Sequence, residues 1–275
     1  MKKLFKTLIY MALAVSVLFV QVAQAAAYDD FFDAITNDKE SVMVNLIFRG
    51  FDVNVRDPKG RSGLYLAAAE GSFKVAKVLL DWNKTDVNLL TPQNESPLMM
   101  AALKAHTALA KRIIERGGDV NKTGWTPLHY AATSTAPGHI EIIKLLLEEN
   151  AYIDAESPNG STPLMMAAMY GTAEAAKLLM EEGADPTLKN EKGLTAIDFA
   201  QIAKRDDVAQ AIGKTIRLKE PGFVLPVANA PAAKPAPKPV PAKEPAKESV
   251  KPAPQLKPET EIKSNFQFES QLPAK

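Results

Sequence analysis

Few residues in this chain are of a type and spacing that could do chemistry. Gly213-Lys214-Thr215 has the ending of a phosphate-binding loop. That loop needs a glycine five residues before Gly213 so that the backbone can wrap a phosphate, and Val208 stands there instead. The three histidines, His106, His129 and His139, have no partner at metal-ligand or acid–base spacing, so a structural use is expected for each. No serine lies in a G-x-S-x-G context, and no carboxylate pair stands out from ordinary surface charge. The chain has no cysteine, which excludes a disulfide framework, cysteine-ligated zinc, a thiol nucleophile and a lipidated N-terminal cysteine. Four N-x-S/T sequons, at Asn83, Asn94, Asn121 and Asn159, read as by-products of Asn/Ser/Thr-rich turns. The expectation is a protein that does no catalysis and holds no metal or cofactor.

Composition divides the chain into three materials. The 275 residues carry 33 Lys+Arg against 32 Asp+Glu. The first 25 residues hold +3 and those from Arg217 onward +4, so the body between them carries −6. This balance argues against nucleic acid as the partner, and an acidic body favours a protein with a basic patch. Residues 1–25 run from Lys2, Lys3 and Lys6 through an apolar stretch, Leu8 to Val20, to Ala23-Gln24-Ala25. That order is a cleavable secretory signal, cut between Ala25 and Ala26 or two residues on, after Ala27. The apolar stretch is shorter than the ~18–20 residues that span a bilayer; an uncleaved N-terminal anchor is the alternative. The lysine-led, alanine-rich style is bacterial, so a periplasmic destination is expected, with secretion as the other outcome. Twelve of the 20 prolines lie after Arg217. Residues 217–275 are therefore expected to be a disordered Pro/Ala/Lys-rich tail that cannot bury a core. Phe266-Gln267-Phe268 near its end could dock, and its lysines could contact anionic envelope polymers.

The body is periodic. Asp52-Val53-Asn54, Asp86-Val87-Asn88, Asp119-Val120-Asn121, Tyr152-Ile153-Asp154 and Asp185-Pro186-Thr187 follow one another at 34, 33, 33 and 33 residues. A second phrase keeps step with them. It reads Ser62-Gly63-Leu64-Tyr65-Leu66-Ala67-Ala68, Ser96-Pro97-Leu98-Met99-Met100-Ala101-Ala102 and Thr126-Pro127-Leu128-His129-Tyr130-Ala131-Ala132. Two more copies begin at Thr162-Pro163-Leu164 and, most weakly, at Thr195-Ala196-Ile197. Ser62, Ser96, Thr126, Thr162 and Thr195 can each cap a helix by accepting backbone N–H bonds, with proline following where its missing donor costs nothing. A glycine break at Gly71, Gly138 or Gly171 then precedes a second amphipathic stretch such as Ile142 to Leu147. With this phrase and period the body resembles the ankyrin repeat family over roughly residues 28 to 216. The resemblance implies an all-α solenoid of helix-turn-helix units with short β-hairpin fingers. The expected divisions are a capping repeat at 26–57, four full repeats over 58–190 and a C-terminal capping repeat at 191–216 with a shortened, charged second helix. Two departures stand out: unit four has four residues, Lys122 to Trp125, where the others have seven before the cap, and unit three has Ala105 in place of the breaking glycine.

The resemblance also implies a partner protein held on a concave strip of finger tips and first-helix edges. Carried over residue by residue, unit two contributes Lys59, Arg61, Ala69 and Glu70, and unit three Gln93, Glu95, Leu103 and Lys104. Unit four adds Thr123, Trp125, Thr133 and Ser134, and unit five Asn159, Ser161, Met169 and Tyr170. Lys192 and Leu194 complete the strip. Trp125 and Tyr170 are the expected anchors, because large aromatics dominate interface energetics. The function expected is a non-catalytic protein–protein interaction module of the bacterial envelope, supporting or inhibiting a periplasmic protein. A tether whose tail carries the specificity, or a secreted effector acting on host proteins, are the alternatives.

Overall fold

A computed structural model describes residues 24–219. The expected leader up to residue 23, and the tail with Phe266-Gln267-Phe268, lie outside the described residues. Six helix pairs follow one another. They are α1 (24–36) with α2 (Glu40–Phe48), α3 (Gly63–Glu70) with α4 (Phe73–Asp81), and α5 (Pro97–Leu103) with α6 (Thr107–Glu115). Then come α7 (Pro127–Thr133) with α8 (His139–Glu148), α9 (Pro163–Met169) with α10 (Ala173–Glu181), and α11 (Ala196–Ile202) with α12 (Asp206–Lys219). α1 is already helical at residue 24, so a cut after Ala25 falls within its first described turn.

Helices of seven or eight residues are too short to hold in water alone, so their ends matter. Each of the last five first helices starts on a hydroxyl that accepts the N–H three residues on: Ser62 from Tyr65, Ser96 from Met99, Thr126 from His129, Thr162 from Met165 and Thr195 from Asp198. In four of these the third side chain answers by accepting the cap's own N–H. It does so through sulfur at Met99 and Met165, through Nδ1 of His129 at 3.2 Å and through a carboxylate oxygen of Asp198 at 2.7 Å. Proline holds the first helical position in α5, α7 and α9. In α3 it is Gly63, and a Cβ there would lie 2.4 Å from Phe31 Cζ of the capping unit, so the aromatic fills the space.

The core is built between units. The first helices pack in one row, α3, α5, α7, α9 and α11, and the second helices in another. Leu64, Leu98, Leu128 and Leu164 are buried between them, and the alanine pairs from Ala67-Ala68 to Ala167-Ala168 let the backbones approach. Polar bonds cross the same seams. Asn54 donates to Lys84 O and accepts from Asp86 N–H; Asn88 bridges Gly117 O and Asp119 N–H in the same way, and Asn121 bridges Asn150 O and Tyr152 N–H. At the start of the second helices, Ser72 donates to Ile35 O, His106 Nδ1 to Ala68 O, and Arg205 to Ala167 O and Ala168 O. All three histidines work in these seams: His129 Nε2 donates to Ser161 O at 2.9 Å, and His139 Nε2 meets Thr172 Oγ1 at 2.8 Å.

Three expectations need correction. The fingers are not strand hairpins, since a single isolated bridge, Arg56 with Ser62, is the sheet pairing among the described residues. Their turns close on backbone bonds, Asp57 N–H to Arg61 O, Thr91 N–H to Glu95 O and Asn190 N–H to Leu194 O, reinforced by side chains: Asp57 accepts from Lys59 and Arg61, Thr91 from Gln93 and Glu95, and Asn190 from Lys192 and Leu194. The last second helix is not shortened. α12 has 14 residues and runs past 216 to Lys219, its buried stripe of Val208, Ala209, Ile212 and Ile216 keeping helical spacing. The glycine breaks are not equivalent either. Gly71, at φ 76°, takes the left-handed conformation, and Ala105 at φ 54° follows it at the cost of strain. Gly171 is needed for approach, because a Cβ would stand 2.0 Å from Ala132 O of the preceding unit.

Two outcomes follow for stability. Gly71→Ala should cost about 1 kcal/mol of strain, whereas Gly171→Ala should cost about 3 kcal/mol or more by forcing two units apart; equal losses in denaturant unfolding would contradict this packing. Burial pushes the His129 imidazole down to about 4. The unfolded chain therefore binds a proton that the fold refuses between pH 6.5 and 4, and stability should fall by a few kcal/mol as pH drops through that window. His129→Met, the residue found in units three and five, should flatten that pH dependence in thermal unfolding.

Candidate partner-binding surface

The residue immediately before each helix cap forms one column along the array: Arg61, Glu95, Trp125, Ser161 and Leu194. The turn geometry that places them is local, but what each does depends on the neighbouring unit. Arg61 is held within its own finger, 2.6 Å from Asp57. Trp125 is half-buried, its ring edge-on to His129 at a centroid distance of 5.2 Å. Glu95 lies between two tyrosines. Tyr65 of α3 donates its hydroxyl to Oε2 and Tyr130 of α7 donates to Oε1, each at 2.8 Å. One carboxylate thus joins units two, three and four. Burial, and then the Glu95 charge, push both phenols well above the usual tyrosine range, so both remain neutral donors.

Lys59, Glu70, Gln93, Lys104 and Lys192 are exposed, and Leu103, Asn159, Met169 and Tyr170 are half-buried. Burial raises the Tyr170 hydroxyl as well. Asn159 spends its side-chain oxygen on Ser157 and on Ser161 N–H. Three transferred residues do not reach the surface. Thr133 is buried and donates its hydroxyl to Tyr130 O. Ser134 is 3% exposed and caps Ala136 N–H in the lengthened inter-helix turn. Its register is displaced by the three residues that unit four gains after its alanine pair. Ser161 is 0% exposed, and its hydroxyl has no hydrogen-bond partner among the described residues. At the N-terminal end the strip continues into a shallow cleft of about 370 Å³ lined by Tyr28, Phe32, Pro58, Arg61, Leu66 and Glu70.

Tyr65 and Tyr130 were absent from the transferred positions. A signal for them exists: Tyr130 stands where other units have Leu66, Met100, Met166 and Phe199, and a phenol in an apolar position needs a partner. Glu95, 30 residues from one and 35 from the other, is that partner.

Among the described residues no group of three or more His, Asp or Glu is placed to hold a metal ion. Gly213-Lys214-Thr215 lies inside α12 with Gly213 buried, so it forms no phosphate loop. No described helix is long and apolar enough to cross a membrane.

Comparison with known proteins gives a consistent answer. The family described as ankyrin repeats matches in three overlapping copies, over residues 31–122, 64–157 and 138–219. The nuclear factor NF-kappa-B p105 subunit of Gallus gallus is 33% identical over 186 residues, 65% of this chain and 18% of that protein. The human transient receptor potential cation channel subfamily A member 1 is 31% identical over 62% of this chain and 16% of its own length. The chain therefore spans less than a fifth of these relatives. Among solved structures, the complex of a predatory endopeptidase from Bdellovibrio bacteriovorus with an immunity protein contains a chain matched with a TM-score of 0.58 and 28% identity. That match covers 67% of this chain and 96% of the other.

The Tyr–Glu–Tyr contact predicts a measurable coupling. Tyr65→Phe and Tyr130→Phe should each lower the free energy of unfolding by about 1–2 kcal/mol, as expected for a hydrogen bond to a charged group. Combined, they should deviate from additivity, because both act on one carboxylate. Strict additivity in denaturant titrations would show that the two contacts are independent.

Proposed function

The chain belongs to the ankyrin repeat family, and from that premise we propose that it is a non-catalytic module of the bacterial envelope that binds another protein through its finger and first-helix face. Ankyrin repeats are protein–protein interaction modules, and the face bearing Glu95, Trp125 and Tyr170 is preformed by hydrogen bonds between units, so binding costs little ordering entropy. The single observation that carries this reading is the column before the caps. Its positions share the turn before a cap yet carry a cation, an anion, an indole, a hydroxyl and an aliphatic chain, and all but the buried Ser161 reach the surface. Export rests on the order of residues 1–25. The solved complex of an endopeptidase with an immunity protein favours a masking or protective role over a spacer role.

Crosslinked capture from the periplasm tests this. Tagged chain should retain a specific protein that a Trp125→Ala/Tyr170→Ala variant, shown by circular dichroism to be equally folded, loses by about tenfold or more. Removal of residues 222–275 should leave capture intact. Loss of capture on that deletion alone would instead assign the specificity to the tail, making the chain a tether.

A further inference from the structure

The cleft at the N-terminal end of the strip joins three elements. α1 supplies Tyr28 and Phe32, the finger of unit two Pro58 and Arg61, and α3 Leu66 and Glu70. Its apolar wall is set before anything binds. The Tyr28 hydroxyl donates to Arg56 O at 2.8 Å, and the Tyr28 ring meets Phe32 edge-on at a centroid distance of 4.8 Å. Phe32 is edge-on in turn to the buried Phe31, at 5.0 Å. The rim is acidic: Asp29, Asp57 and Glu70 line it against one cation, Arg61. Arg61 is spent on Asp57, which it meets through Nε at 2.8 Å and a terminal nitrogen at 2.6 Å. Asp29 and Glu70 are exposed, and neither belongs to an ion pair among the described residues.

The repeat sets the spacing of these two charges. The turns after α1 and α3 stand at Asp38 and Gly71, both at positive φ and 33 residues apart. The same offset puts Glu70 level with Asn37 and Leu66 level with Asp33. Helical bonding continues that far, since Asn37 N–H donates to Asp33 O. Eight residues separate Asp29 from Asn37, which is about 12 Å at the helical rise. An extended chain covers about 13 Å in four residues, and its positions i, i+2 and i+4 share one face. Basic residues at i and i+4 therefore reach one carboxylate each, while a bulky apolar residue at i+2 lies against Phe32 and Leu66. We infer that the cleft takes such a basic–x–apolar–x–basic segment of the protein partner, extended along α1 and α3. The acidic body supplies the wider field that draws a basic occupant in, and the apolar floor requires the residue between the charges.

This inference rests on the protein-binding reading, yet its test does not require the partner. The purified chain is titrated with capped Lys-Ser-Phe-Ser-Lys, and the backbone amide resonances of Phe32, Leu66 and Glu70 are followed by NMR. They should move together with a dissociation constant of about 1 mM that rises with salt. Lys-Phe-Ser-Ser-Lys has the same composition but turns its ring to the opposite face, and should bind about fivefold more weakly. Replacing both lysines of the first peptide with glutamine should weaken it about fivefold as well. Asp29→Asn/Glu70→Gln, at two exposed positions, should cause the same loss. Glu148→Gln/Glu182→Gln removes equal charge from units four and five and should leave binding within about twofold. Equal binding of the two lysine peptides, shifts that avoid the cleft, or equal losses in the two double variants would each overturn the subsite. Cleft resonances that broaden with chain concentration, before any peptide is added, would overturn it in favour of a second copy. The peptide contrasts are read on the unaltered chain, so they stand even if a variant folds poorly. Failed contrasts beside successful periplasmic capture remove the subsite and leave the binding module, whereas failed capture removes the module itself.

Discussion

A unit of two short helices and a turn cannot bury its own apolar face, and that constraint governs everything else in this molecule. Leu128 or Leu164 becomes core only when the next first helix lies against it, and the alanine pairs are small because two backbones must meet there. The same is true of the polar groups. An asparagine such as Asn88 uses both ends of its amide on the following unit, and His129 finds its second hydrogen bond on Ser161 O, one unit away. Stability is therefore a property of seams. A carbonyl such as Ala132 O, approached by Gly171, shows how little clearance the seams leave.

Within that frame, equivalent positions hold different chemistry according to whether a neighbour constrains them. In α5, α7, α9 and α11 the position three residues into the helix tolerates Met99, His129, Met165 or Asp198, because any acceptor can satisfy the cap's N–H, while Tyr65 of α3 turns its hydroxyl to Glu95 instead. The position before the cap varies more widely, from Arg61 to Leu194, and reaches the surface at all but the buried Ser161. Glu95 stands between these two regimes. It is on the variable column, yet the hydroxyls of Tyr65 and Tyr130 tie it into three units at once, so a surface charge is also a structural clasp. A charge oriented in this way loses little on meeting a partner, which is the property a recognition site needs.

Much of this was legible in the residues. The two phase-locked phrases identify the repeats, and Ser62, Ser96, Thr126, Thr162 and Thr195 each stand where a helix begins. These are local devices: a cap, a proline at the first helical position and a period of about 33 depend on near neighbours in the chain, so sequence alone expresses them. The shortened finger of unit four was legible as a count of residues for the same reason.

What only the tertiary structure decided lies between units. Gly171 and Gly71 read alike as helix breaks, but one serves a close approach and the other a left-handed turn. Ser161 and Ser134 read as surface positions and are buried, because the neighbouring finger and a displaced register cover them. α12 reads as a truncated helix and is the longest of the second helices among the described residues, its buried stripe keeping helical spacing to Ile216. The Tyr65–Glu95–Tyr130 clasp joins residues 30 and 35 positions apart, and no local pattern specifies which side chains will face each other across two seams. The sequence by itself determined the unit and its repetition, because those follow from short-range hydrogen bonding and hydrophobic period. The chemistry of the face was decided by the stacking, because only there do side chains from three units converge on one carboxylate.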